Sequence, residues 1–161
     1  MLQVTIKGGT KSQRKHTESL VHFCADMLMP RLKDKLDITV RLKTIKAKEN
    51  AYGYCTSDPE GNADRADRPR EFELEIHNKM PLRRVLETVA HEMVHVKQYA
   101  RGELYEGSRV SKNRWQGRWI NKDPDYWDQP WEIEAHGREC GLFVRWAEAE
   151  GLGDAKWTHD D

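Results

Sequence analysis

Leu82-Arg83-Arg84-Val85-Leu86-Glu87-Thr88-Val89-Ala90-His91-Glu92-Met93-Val94-His95-Val96-Lys97-Gln98-Tyr99 carries two patterns at once. Leu82, Val85, Leu86, Val89, Met93 and Val96 recur at helical spacing and form one apolar stripe. His91, His95 and Gln98 fall on a second stripe. Residues four apart share a face of a helix, so His91 and His95 can hold one metal ion together. Glu92 lies one position round from His91, where its carboxylate reaches a water at that metal without being a ligand. Two neutral imidazoles and an adjacent carboxylate are the minimum kit for a zinc-activated water. A helix with one face for the core and another for paired histidines separates this pattern from ordinary core histidines.

The rest of the chain fits a single domain spanning residues 1–161. The sequence is 161 residues long, 37% hydrophobic and 34% charged, which describes a globular α+β protein with a heavily charged surface. No stretch approaches the roughly 20 apolar residues of a membrane span, so no membrane association is expected. The first residues lack the apolar run of a signal peptide, and the expected location is the cytoplasm. Cys24, Cys55 and Cys140 are odd in number and far apart, which suits reduced, partly buried thiols better than a disulfide framework. Net charge is zero, but the N-terminal third is basic and the last forty residues are acidic. The basic excess admits a nucleic-acid contact as a secondary expectation, against the blander reading of a solvated face.

Along the chain, a short strand is expected at about 2–6 and a helix over 14–33, interrupted or ended by Met29-Pro30. Leu36, Ile38, Val40 and Leu42 alternate with polar residues and read as a half-buried strand. Residues 51–56 read as a second strand and 57–69 as a loop. In Glu71-Phe72-Glu73-Leu74-Glu75-Ile76-His77 the apolar residues face inward. If this strand forms the sheet edge, it can pair with an extended peptide, and its glutamates would favour basic substrates. Gly102 is placed to end the histidine-bearing helix. Residues 103–128 form a Trp-rich insertion with a short strand or hairpin at 114–120. A second long helix starts at Asp128-Gln129-Pro130, with Asp128 as cap and Pro130 in the first turn, and runs to about Glu150. Residues 151–161 are expected to fray.

A catalytic zinc takes three protein ligands and keeps one open position. No histidine lies between His95 and His136, so the third ligand comes from further along. Glu132 and His136 are four apart and share a helix face. Glu132 is the favoured ligand, with His136 hydrogen-bonded to a ligand and fixing its orientation. Direct ligation by His136 is the competing arrangement. Gly137 and Gly141 near that face would let the two helices approach closely.

His91-Glu92-Met93-Val94-His95 followed by Pro130-Trp131-Glu132-Ile133-Glu134-Ala135 resembles the gluzincin zinc metallopeptidases. The nearest likeness is to their small members, the minigluzincins and SprT-like proteins. In gluzincins the third ligand is the Glu of an E-x-x-A or E-x-x-x-D motif, matched here by Glu132 with Ala135. The resemblance spans roughly residues 14–150 and implies a small zincin-like fold. In it, a mixed or antiparallel sheet of three to four strands packs on the His91 helix, followed by a C-terminal ligand helix. His136 stands where the Asp of E-x-x-x-D would be. The gap from His95 to Glu132 is longer than in compact gluzincins, and the early third histidine common in SprT-like peptidases is absent.

The expectation is one Zn²⁺ per chain on His91, His95 and Glu132, with Glu92 as general base in hydrolysis of a peptide or protein substrate. Tyr126, just before the ligand helix, is the first candidate for oxyanion donor, with Tyr99 and His136 as alternatives. A non-hydrolytic metal-binding domain that recognises a partner through its Trp-rich segment, and a nucleic-acid-associated peptidase, are the other expectations.

Overall fold

The computed structural model describes residues 1–46, 51–57, 68–106, 112–121 and 124–160. Its main sheet holds β1 (Gln3–Gly8), β2 (Asp37–Lys43), β3 (Gly53–Ser57) and β4 (Glu71–His77) in the order β1-β2-β4-β3. The first three neighbours in that order run parallel, and β3 is antiparallel to β4. Three helices complete the layer: α1 (Lys11–Leu28), α2 (Leu82–Ala100) and α3 (Pro130–Ala149). The architecture is α+β.

Period-two alternation sets the layering. Ile38, Val40 and Leu42 of β2 are in register with Phe72, Leu74 and Ile76 of β4, and all six are buried. They form one core with Leu20, Val21 and Cys24 of α1 and Val85, Val89, Met93 and Val96 of α2. The opposite sheet face is polar, and cross-strand pairs tie it together. Arg41 bonds Glu73, and Lys43 lies 3.7 Å from Glu75. Every residue of α2 from Val89 to Gln98 is buried, because the helix is covered by the sheet and α1 on one side and by α3 on another.

Several expectations change. Strand β4 is interior, so it presents no edge, and its outward glutamates face away from α2; the edge beside α2 is β3. Helix α1 begins at Lys11 rather than 14. Thr10 and Gln13 form a reciprocal cap, with Thr10 Oγ1 accepting from Gln13 N at 3.1 Å and Gln13 Oε1 accepting from Thr10 N at 3.0 Å. The helix ends at Leu28, before Met29-Pro30. Asp128 does not cap α3. It belongs to a 3-10 turn, Tyr126–Asp128, and the first α3 amides bond the Gln129 carbonyl instead. Gly137 and Gly141 point into open space. The small residues of α3 that face the core are Ala135 and Ala147.

The Trp-rich stretch is more ordered than expected. It contains an antiparallel meander of β5 (Leu104–Glu106), β6 (Lys112–Trp115) and β7 (Arg118–Asn121). Gln116 and Gly117, both at positive φ (48° and 84°), make the two-residue turn between β6 and β7. Gly102, at φ 72°, follows the end of α2 as expected. Most of the expected 57–69 loop, residues 58–67, lies outside the described residues.

The C-terminus packs rather than frays. Residues Lys156–His159 form a 3-10 turn. The Trp157 ring meets His16, Phe143 and Trp146, and Arg83 donates to the Thr158 carbonyl at 2.9 Å. Cys24 is buried and Cys55 half-buried, whereas Cys140 is exposed. Among the described residues no helix is long and apolar enough to cross a membrane.

Candidate metal centre

Helices α2 and α3 pack face to face, and their polar stripes meet between them. His91 and His95 come from adjacent turns of α2, and Glu132 from the first turn of α3. All three are buried. His91 Nε2 lies 3.0 Å from Glu132 Oε1, and His95 Nε2 lies 3.2 Å from both oxygens of the same carboxylate. The other ring nitrogens are held from behind. His91 Nδ1 donates to Glu139 Oε2 at 2.7 Å, and His95 Nδ1 donates to Gln98 Oε1 at 2.8 Å. Gln98 is itself fixed, since its Nε2 donates to the Trp131 carbonyl and to Glu134 Oε1. Both imidazoles therefore aim Nε2 at one carboxylate, which is how metal-binding histidines are oriented by outer partners.

With metal–ligand bonds of ~2.1 Å, tetrahedral ligands sit about 3.4 Å apart. The observed 3.0 and 3.2 Å separations reach that value with shifts of a few tenths of an ångström.

His136 adds a neighbouring donor. One ligand atom each from His91, Glu132 and His136 lie within 4.8 Å of one another, so these three form a group that can hold a metal ion. This group holds His136 where the sequence reading expected His95. His95 is buried beside it, with its Nδ1 held by Gln98. The His136 side chain is 31% exposed, and its Nε2 is engaged by Tyr126 Oη at 2.9 Å. Tyr126 also donates to Glu132 Oε1 at 2.9 Å, bridging the two residues.

The electrostatics follow from burial and pairing. Burial works against a charge on His91, but the Glu132 and Glu139 carboxylates outweigh it and hold its pKa up at about 10. Burial alone would raise the Glu132 pKa, yet hydrogen bonds from His91 and His95 hold it far below the usual carboxylate range. A metal ion entering here displaces the protons these pairs share.

Glu92 differs from every other carboxylate at the site. It is buried, makes no hydrogen bond to a described residue, and lines a cleft of about 460 Å³. Burial raises its pKa, partly offset by His95 and His91. Strand β3 passes directly over it: a Cβ on Gly53 would stand 3.0 Å from Glu92 Oε1. The cleft therefore has a buried carboxylate, Glu92, beside the group that could hold a metal ion and an edge strand along its rim. Tyr126, on the cleft wall, is within hydrogen-bonding distance of Glu132. Tyr99 lies further along α2, bonded to Glu106.

Glu139 is the site residue that sequence reasoning did not assign. It lies three positions after His136 and seven after Glu132, so helical spacing puts it on the same face. The chain matches no protein-family model, no curated protein and no solved structure.

Proposed function

We propose that the protein is a zinc-dependent metallopeptidase, with Zn²⁺ held by His91, His95 and Glu132. One observation carries this reading. Two outer-braced histidines converge on one buried carboxylate, and a second buried carboxylate, with no hydrogen-bond partner among the described residues, stands beside them at a cleft. A purely structural metal site has no use for Glu92. When bound, Zn²⁺ supplies Lewis acidity, polarising a carbonyl oxygen and lowering the pKa of a coordinated water towards ~7.

The chain's own groups supply the remainder. Glu92 accepts the proton of the attacking water and delivers it to the departing amine. Its burial keeps the carboxylate basic enough for that work. Tyr126 Oη donates towards the oxyanion that develops on the attacked carbonyl, after leaving Glu132 Oε1. Glu139 and Gln98 keep His91 and His95 in their ligating orientation. The substrate is a peptide or protein segment in extended form, paired along β3, the last strand of the sheet among the described residues. The motif pair shared with gluzincins supports the same reading.

The test begins with elemental analysis of untagged protein purified without added metal, where about one zinc per chain is expected. Glu92→Gln is expected to keep that zinc and to lower peptide hydrolysis by about 10²- to 10⁴-fold. Absence of zinc uptake, or full activity in the variant, would overturn the proposal.

A further inference from the structure

The cleft is chemically uneven from end to end. Arg84 is the one Lys or Arg among its described lining residues, and it lies over the Tyr52 ring, eight positions before Glu92 on α2. At the opposite end Tyr99, seven positions after Glu92, donates to Glu106 Oε1 at 2.7 Å. Cys55 of β3 lines the same cleft. Leu104 closes the wall beneath them.

The cleft carboxylates differ in what they are bonded to. Glu87 is bonded to Arg83 at 2.9 Å. Glu132 and Glu139 are bonded to His91. Glu92 stands at the reacting centre. The side chain of Glu106, at the exposed mouth, has a single hydrogen bond among the described residues, the one from Tyr99, and no described cation pairs with it. An apolar trough of Cys55, Leu104 and the Tyr99 ring leading to a carboxylate with no cation partner among the described residues suits the aliphatic stem and charged head of a basic side chain. Seven helical residues span about 10 Å, which a long side chain reaches from within two residues of Glu92 along an extended peptide.

We propose that Glu106 selects the substrate, receiving the ammonium or guanidinium of a lysine or arginine within two residues of the bond that is cleaved. This rests on the peptidase reading above. Arg84 at the other end disfavours a basic residue there, so the charge gradient also fixes the direction in which the peptide lies.

The experiment digests a library of end-blocked octapeptides with the zinc-loaded full chain and maps the cuts by mass spectrometry. It then compares peptides that differ only in lysine or norleucine at the selected position. The lysine peptide is expected to have a kcat/KM about fivefold higher, the range of a half-exposed ion pair. Glu106→Gln keeps an acceptor for Tyr99 and is expected to bring that ratio to about one. Glu106→Lys is expected to favour glutamate over norleucine, an inversion that a merely structural role would not produce. A ratio near one in the unaltered protein, or a ratio unchanged in Glu106→Gln, overturns the proposal while leaving the peptidase reading intact. If no peptide is cleaved, the peptidase reading fails. Binding of the same lysine and norleucine peptides to the zinc-loaded Glu92→Gln chain then decides the role of Glu106 by itself. A lysine preference abolished by adding Glu106→Gln sustains it, and equal binding or none overturns it.

Discussion

Glu139 holds His91 from the side opposite Glu132, and its 2.7 Å contact sets where the ring points. Such outer partners contribute about 10- to 100-fold in metal affinity. Glu139→Ala is expected to weaken zinc binding by that factor in a competition titration with a chromogenic chelator. At saturating zinc it should retain hydrolysis. An unchanged affinity would mean that packing alone orients His91. This residue also shows where single-sequence reading loses resolution. His91 and His95 announce themselves because the same residue type recurs on one helix face, and Glu132 because its spacing to Ala135 matches a known ligand motif. Glu139 sits among Glu134 and Arg138 on a charged helix, and its surroundings read as an ordinary solvated face until α2 is packed against it.

Among the elements, β3 has little sequence signal and a position at the sheet edge beside the site. It is five residues long, half-exposed and without clean alternation, yet it forms the rim of the cleft. Its glycine keeps the strand close to Glu92. A Cβ at Gly53 would come within 2.9 Å of Thr88 Cγ2, 3.0 Å of Glu92 Oε1 and 3.2 Å of the Glu75 carbonyl. Gly53→Ala is therefore expected to displace Glu92 and lower kcat by about 10- to 100-fold, with zinc content unchanged. Steady-state kinetics beside elemental analysis check this, and a loss of zinc would relocate the damage to the ligands. The strand and helix limits at 71–77 and 82–100 were legible because local periodicity sets them. Which strand lies at the edge was not, because sheet order depends on pairings between distant segments. The C-terminal turn was misread for a related reason. Trp157 has no local pattern around it, and only the cavity formed by His16, Phe143 and Trp146 gives it a place.

At the scale of the whole molecule, the proposed metal site joins segments far apart in sequence: His95 and Glu132 are 37 positions from each other. The meander β5-β6-β7, with Glu106 on its first strand, lies wholly inside that interval. An ion ligated at both ends acts on the chain as a cross-link, reducing the freedom of the enclosed segment much as a disulfide closing a loop of that length would. Zinc is thus expected to raise the melting temperature in proportion to the logarithm of its free concentration above Kd. Chelation is expected to make the interval 101–129 the first site of cleavage by a low dose of trypsin, read by mass spectrometry. Cutting that begins elsewhere would show that the meander stands without the clasp. Substrate choice and metal loading would then share one mechanical element: the wall proposed to read the peptide would be tightened by the ion proposed to activate the water.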